Sequence, residues 1–150
     1  MASWLEQFDT VCAERVRDLK ILRDEPMHTH TTFRIGGPAR RMACPASVQE
    51  LSALLGLVEE ENFPYLMLGN GSNLLVADEG IDKLVIYTGA MEQMERREEN
   101  ILCAEAGVSL ARLAVFARKE SLTGLEFAHG IPGSLGGAVC MNAEIGRAHV

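Results

Sequence analysis

No stretch of this sequence is apolar for long enough to cross a bilayer as a helix, which takes roughly 20 consecutive apolar residues. Its first residues carry Glu6 and Asp9 and no basic n-region, so no secretory leader is indicated and the expected address is cytoplasmic. Basic residues are in deficit. The 14 of them stand against 21 acidic ones for a net charge of −7, which argues against broad nucleic-acid or anionic-membrane binding, since both favour a basic face. An anionic ligand therefore has to be met by local donors. The four cysteines, Cys12, Cys44, Cys103 and Cys140, are scattered without a C-x-x-C pair, so neither a zinc site nor a disulfide framework is indicated and buried free thiols are expected. His28 and His30 would share one face of a strand, but a metal site needs three or four ligands. The pair reads as part of a solvated loop, and no metal is expected.

What the chain does have is an ordinary globular composition, 47% hydrophobic over 150 residues, enough for one domain or two small ones. Leu5, Phe8, Cys12, Val16 and Leu19 recur at helical spacing and predict a first amphipathic helix, with Pro26 beyond its end. Arg34, Arg40 and Arg41 read as surface charges, a phosphate contact being the second reading. A second helix is announced by the capping box Ser47-Val48-Gln49-Glu50, followed by Leu51, Leu54, Leu55 and Val58, and Phe63-Pro64 prevents its continuation. If Arg41–Cys44 is a strand, this helix belongs to a β-α-β unit. Leu84–Tyr87 reads as a strand, and Met91–Arg97 with Ile101–Ala104 as a hairpin around the solvated run Glu95–Glu99. Ser109 caps a third helix carrying Leu110, Leu113, Ala114, Phe116 and Ala117 inward, with Gly124 past its end.

Two glycine-bearing loops hold the chemistry. In Leu66–Asp78, Gly69-Asn70-Gly71-Ser72-Asn73 lies between apolar runs and reads as strand, tight loop, strand. Asn-Gly so placed is the strongest short hairpin signal and needs no ligand. Successive N–H groups around Asn70–Asn73 can equally converge in a nest for an anion such as pyrophosphate, with Ser72 and Asn73 adding side-chain donors. A Walker A loop is excluded, because no Lys-Ser/Thr follows the last glycine. A dinucleotide fingerprint is excluded too, because Leu74-Leu75-Val76 follows in place of a third glycine opening a helix. In the second loop, Pro132-Gly133 suits a type II turn and Ser134 caps a short helix whose first N–H groups would face an anion, while Gly136-Gly137 admits close approach of a flat ligand. The alternative is a glycine-rich connection without a ligand. His129 reads as an ordinary loop histidine ahead of a catalytic base.

Thr31-Thr32-Phe33-Arg34-Ile35-Gly36-Gly37-Pro38-Ala39, Leu68–Leu75 and Gly124–Ala138 with Met141-Asn142-Ala143 together resemble, in order and spacing, the UDP-N-acetylenolpyruvoylglucosamine reductase family, over about residues 20 to 143. The resemblance implies an α+β fold of the FAD-binding type found in p-cresol methylhydroxylase and vanillyl-alcohol oxidase, with two FAD-binding subdomains placed at residues 1–65 and 66–143 and incomplete at the C-terminus. It implies non-covalent FAD, its pyrophosphate wrapped by Gly69, Asn70, Gly71, Ser72, Asn73 and Leu74. Gly130, Ile131, Pro132, Gly133, Ser134, Gly136 and Gly137 would then lie along pyrophosphate and flavin.

The resemblance further implies NADPH as reductant and a UDP-sugar substrate reduced to UDP-N-acetylmuramate, a peptidoglycan precursor. The family's catalytic arginine, serine and glutamate lie downstream of the matched region, so no catalytic residue is assigned and the chain alone is expected to be inactive. Residues 144–150 depart from the family. Ile145–Val150 is what a common sequencing-adapter sequence encodes in one frame, so a non-native tail is expected there. Another FAD-linked oxidoreductase of the same superfamily and a non-catalytic α/β binding module are the alternatives.

Overall fold

The computed structural model describes residues 3–143, and the expected non-native tail at 144–150 lies outside them. Helix α1 spans Trp4–Arg15 and opens with Glu6 Oε2 accepting from the Ser3 N–H at 3.3 Å, the return arm of a capping box. Phe8 and Cys12 are buried on its inner face. The helix stops short of the apolar spacing: Val16 and Leu19 are buried beyond its end. Asp18, in the left-handed region at φ 68°, turns the chain there into strand β1, Lys20–Pro26. Sequence reading missed β1, because Arg23-Asp24-Glu25 breaks any alternation. Its position at the edge of a sheet explains why such charges are tolerated.

Strand β2 (Pro38–Cys44), helix α2 (Val48–Glu60), strand β3 (Tyr65–Leu68) and strand β4 (Ile81–Tyr87) complete the sheet in the order β1-β2-β4-β3. Strand β1 is antiparallel to β2, whereas β2 and β3 are both parallel to β4. The expected β-α-β unit is therefore present, with β4 inserted between the two strands that α2 joins. Ser47 Oγ accepts from the Glu50 N–H at 3.2 Å as the capping box predicts, but Glu50 Oε2 reaches one residue further out, to the Ala46 N–H at 2.9 Å.

Strand alternation sorts β4 between two cores. Leu84 and Ile86 join Phe8, Cys12, Leu54, Leu57, Val58 and Phe63 beneath the helices, while Val85 joins Met27, Met42, Leu68 and Val76 on the opposite face. Ala39 shares that second face with Met42, three residues on. The register shift between Ala39 and Arg41 permits this and swings Arg41 round to the helix side. There its guanidinium grips Asp9 of α1 in a fork, Nε to Oδ1 and Nη2 to Oδ2 both at 2.8 Å, with Arg23 adding a third bond at 3.0 Å. Arg41 is thus a half-hidden clamp between helix and sheet and not the surface charge its sequence context suggests. The Arg41 bond and charge, with Arg23 behind them, hold the Asp9 carboxyl below its usual range despite partial burial.

After Tyr87 the chain builds a second group of elements. Strands β5 (Met94–Glu98) and β6 (Ile101–Ala104) form the expected hairpin, and helix α3 (Leu110–Lys119) follows with Ser109 Oγ accepting from the Arg112 N–H at 3.3 Å. A 3-10 turn (Glu126–Gly130) then leads to the short helix α4 (Leu135–Cys140). Because the four-stranded sheet runs continuously from Lys20 to Tyr87, a division between residues 65 and 66 falls inside it. The break in architecture comes after Tyr87.

Candidate functional site

Leu74–Val76 is not a strand, and Asn70-Gly71 is not a hairpin turn. Residues 69–80 are the connection between β3 and β4, which run parallel and so cannot be joined by a tight turn. The apolar alternation there is real but serves packing: Val76 is buried and Leu74 partly so in the second core, while Leu75 is 68% exposed. Backbone bonds tie the loop to other loops instead of to a ladder. Gly37 N–H donates to Ala77 O at 2.9 Å and Thr32 N–H donates to Gly71 O at 3.0 Å.

Gly71 requires its lack of a side chain twice over, since φ is 61° and a β-carbon would collide with the His30 carbonyl. Among the described residues no group accepts from the backbone N–H of Asn70, Gly71, Ser72 or Asn73. Four successive donors are thus left without acceptors among the described residues, in a loop whose ends are fastened, which is what an anion nest would require.

The second loop faces this nest. Ser72 Oγ donates to the Pro132 carbonyl at 3.3 Å, and a β-carbon on Gly69 would overlap Ser134 Oγ. Between the two loops lies a cleft of about 410 Å³ lined by Leu66–Leu74, Leu110, Ile131–Ser134, Gly137, Ala138, Cys140, Met141 and Ala143. It brings together Gly69, Asn70, Gly71, Ser72, Asn73, Leu74, Ile131, Pro132, Gly133, Ser134 and Gly137. Gly136 lies behind this lining, packed so closely on Ala106 that a β-carbon would come within 2.9 Å of the Ala106 β-carbon. Gly130 also lies outside it and has open space around it. His129 is exposed and lines a different hollow, of about 610 Å³, beside α3.

One expectation for the second loop fails. The first N–H groups of α4 are already taken: Leu135 donates to Val108 O at 2.7 Å, Gly136 to Ala106 O at 2.9 Å and Gly137 to Ser134 Oγ at 3.3 Å. This helix start therefore offers an anion no donors, and the second loop contributes a flat wall instead. Sequence reading had no means of finding the acceptors, because Ala106 and Val108 supply them through backbone carbonyls. It also missed Thr88, whose N–H and Oγ1 both donate to the Leu68 carbonyl, at 3.0 and 3.3 Å, and so moor the start of the loop.

His30 is not a solvated loop residue. Its Nε2 lies 2.7 Å from Glu25 Oε1, and its ring meets Tyr87 edge-on with centroids 5.3 Å apart. Burial pushes the Tyr87 phenol up, with smaller contributions from Cys44 and Glu92, so the phenol keeps its proton. Among the described residues no group of three or more His, Cys, Asp or Glu could hold a metal. Nor is any described helix long and apolar enough to cross a membrane.

Against known proteins, residues 39–147 match the family model described as FAD binding domain. The chain is 48% identical over 124 residues to the UDP-N-acetylenolpyruvoylglucosamine reductase of Geobacter sulfurreducens, covering 83% of this chain and 41% of that protein. It is 49% identical over 122 residues to the enzyme of the same name from Heliobacterium modesticaldum, covering 81% of this chain and 39% of the relative. The crystal structure of UDP-N-acetylenolpyruvylglucosamine reductase from Thermus caldophilus superposes with a TM-score of 0.64 at 34% identity, over 85% of this chain and 43% of that one. The chain thus spans about two-fifths of the length of the curated relatives it matches. Its mixed α and β elements and its glycine-loop cleft agree with that likeness, and the chain belongs to the FAD binding domain family, as the part of it that is similar to UDP-N-acetylenolpyruvoylglucosamine reductases.

Proposed function

We propose that this chain is the FAD-holding portion of an NADPH-dependent, cytoplasmic reductase that converts UDP-N-acetylenolpyruvoylglucosamine to UDP-N-acetylmuramate. The observation that carries this reading is the run of four backbone N–H groups, Asn70 to Asn73, without acceptors among the described residues, at the edge of a glycine-walled cleft. Their partial positive charges compensate a pyrophosphate without any lysine or arginine, in keeping with a chain of net charge −7. Asn73 supplies an adaptable side-chain donor at the same place, the Ser72 hydroxyl being engaged with the Pro132 carbonyl, and Gly69 and Gly137 keep the walls close. Ile131, Pro132, Gly133 and Ser134 would lie along the cofactor, with Gly136 packed on Ala106 behind that loop.

When bound, the flavin supplies the hydride-transfer chemistry. What the residues described here do is bind, orient and shield one side of it. Binding is non-covalent, and the residues that protonate and stabilise the reacting substrate belong to sequence outside this chain. The group of elements up to Tyr87 and the group after it form the two walls of the FAD site, a division later than one at residue 65.

Titration of the purified chain with FAD, followed by quenching of flavin fluorescence, tests the reading. Saturable binding that ADP displaces is expected. Absence of binding by both this chain and its full-length reading frame would overturn it. With NADPH and the UDP-sugar, the 150-residue chain is expected to show no turnover, whereas the complete protein should oxidise NADPH.

A further inference from the structure

His30 stands behind the loop that carries Gly71. Its Nε2 is held 2.7 Å from Glu25 Oε1 on β1, and its ring is wedged edge-on against Tyr87 at the end of β4. A small cavity of about 130 Å³ lies between this ring and the loop, lined by Thr29, His30, Thr31, Gly69, Asn70 and Tyr87. The backbone leaving His30 grips the loop directly: the His30 carbonyl abuts the α-carbon of Gly71, and two residues on Thr32 N–H donates to Gly71 O at 3.0 Å. Thr31 between them is buried, its Oγ1 donating to Ile35 O at 3.3 Å. Gly71 is thereby clamped on its carbonyl side. With that carbonyl turned inward to Thr32, the flanking amides are left for a ligand.

We propose that His30, locked by Glu25, is a positioning residue that presets the Asn70–Asn73 amides for a pyrophosphate. The inference rests on the reading of that loop as a phosphate nest, and it goes beyond it by placing the control of the nest's shape on a hydrogen-bonded pair outside the cleft, neither member of which lines it. The chemistry is that of preorganisation: four donors already aligned lose little freedom on binding, whereas a loop free to collapse satisfies its amides elsewhere first. His30 and Glu25 act as a unit in this, since each fixes the other.

The test is FAD affinity and thermal midpoint for the chain and for His30→Ala, Glu25→Leu, the double variant and His30→Gln, which can still donate to Glu25. Each single alanine or leucine variant is expected to weaken FAD about tenfold, a loss near 1.4 kcal/mol on the constant that links free energy to affinity. The double variant should be no worse than either single one, as befits members of one pair, and His30→Gln should recover most of the affinity. Amide hydrogen exchange at Thr32 should quicken in His30→Ala without FAD present. Unchanged affinity in His30→Ala, additive losses, or a thermal shift unaccompanied by a change in affinity would overturn the assignment. If the unaltered chain and its full-length form bind no FAD, the phosphate reading fails, while the Thr32 exchange still decides whether His30 shapes the loop.

Discussion

The hydroxyl of Ser134 occupies the space that a β-carbon on Gly69 would need. One residue comes from the loop after β3 and the other from the cap of α4, so the two halves of the cleft meet there with no room for either to grow. The Ser134 hydroxyl is also engaged, accepting from the Gly137 N–H at 3.3 Å. Gly69→Ala should therefore push Ser134 off its cap, costing about 1–3 kcal/mol of stability as overpacked sites do, and weaken FAD as the walls part. Combining it with Ser134→Gly should restore part of the stability, because glycine is itself a tolerable cap. Denaturant unfolding and FAD titration of the single and double variants check both statements, and a double variant less stable than Gly69→Ala would contradict the shared-space argument.

The fork between Arg41 and Asp9 predicts an acid limb in the stability of the chain. Its contacts hold the folded Asp9 carboxyl below the ordinary carboxylate value, so over the interval between the two values the unfolded chain binds the extra proton. Stability from this pair is complete above the unfolded value of about 3.9 and is lost as pH falls toward the depressed one. Asp9→Asn should lower stability by about 2 kcal/mol at neutral pH, where a charged hydrogen-bonding partner is removed, and by less near pH 3. Urea unfolding at the two pH values measures this. An equal loss at both would show that the carboxylate charge is not what matters.

Thiol chemistry should follow burial. Burial pushes the Cys12 thiol up, with Asp9 adding to the effect, and burial does the same for Cys44. Cys140, by contrast, is exposed and lines the cleft. Iodoacetamide should label Cys140 first and leave Cys12 and Cys44 nearly untouched in the folded chain. Saturating FAD should slow the labelling of Cys140 without altering the others, as peptide mapping by mass spectrometry would show. A Cys140 rate indifferent to FAD would place the cofactor elsewhere.

Helix α2 owes part of its start to Ser47, whose Oγ accepts from the Glu50 N–H at 3.2 Å. Ser47→Ala should cost about 1 kcal/mol, the usual value of such a cap, and leave FAD affinity unchanged because Ser47 does not line the cleft. Thermal unfolding against FAD titration separates the two effects.

Local rules written into the chain determined its helices, its hairpin and the glycine loops. Ser47 and Ser109 cap where their spacing to the following apolar residues says they should, because capping is a contact between residues three apart and needs no partner from elsewhere. The glycines at 69 and 71 marked the loop for the same reason: close approach and left-handed backbone are demands that only this residue meets cheaply. Tertiary structure decided everything that depended on neighbours distant in sequence. It set β4 between β2 and β3, which turned an apparent hairpin loop into a connection between parallel strands. It satisfied the start of α4 from the Ala106 and Val108 carbonyls, removing one anion site the sequence suggested, and it left the amides of Asn70–Asn73 without acceptors among the described residues, in keeping with the other. Whether a backbone N–H is spent or available is a property of its surroundings, and no residue type in the loop itself records it.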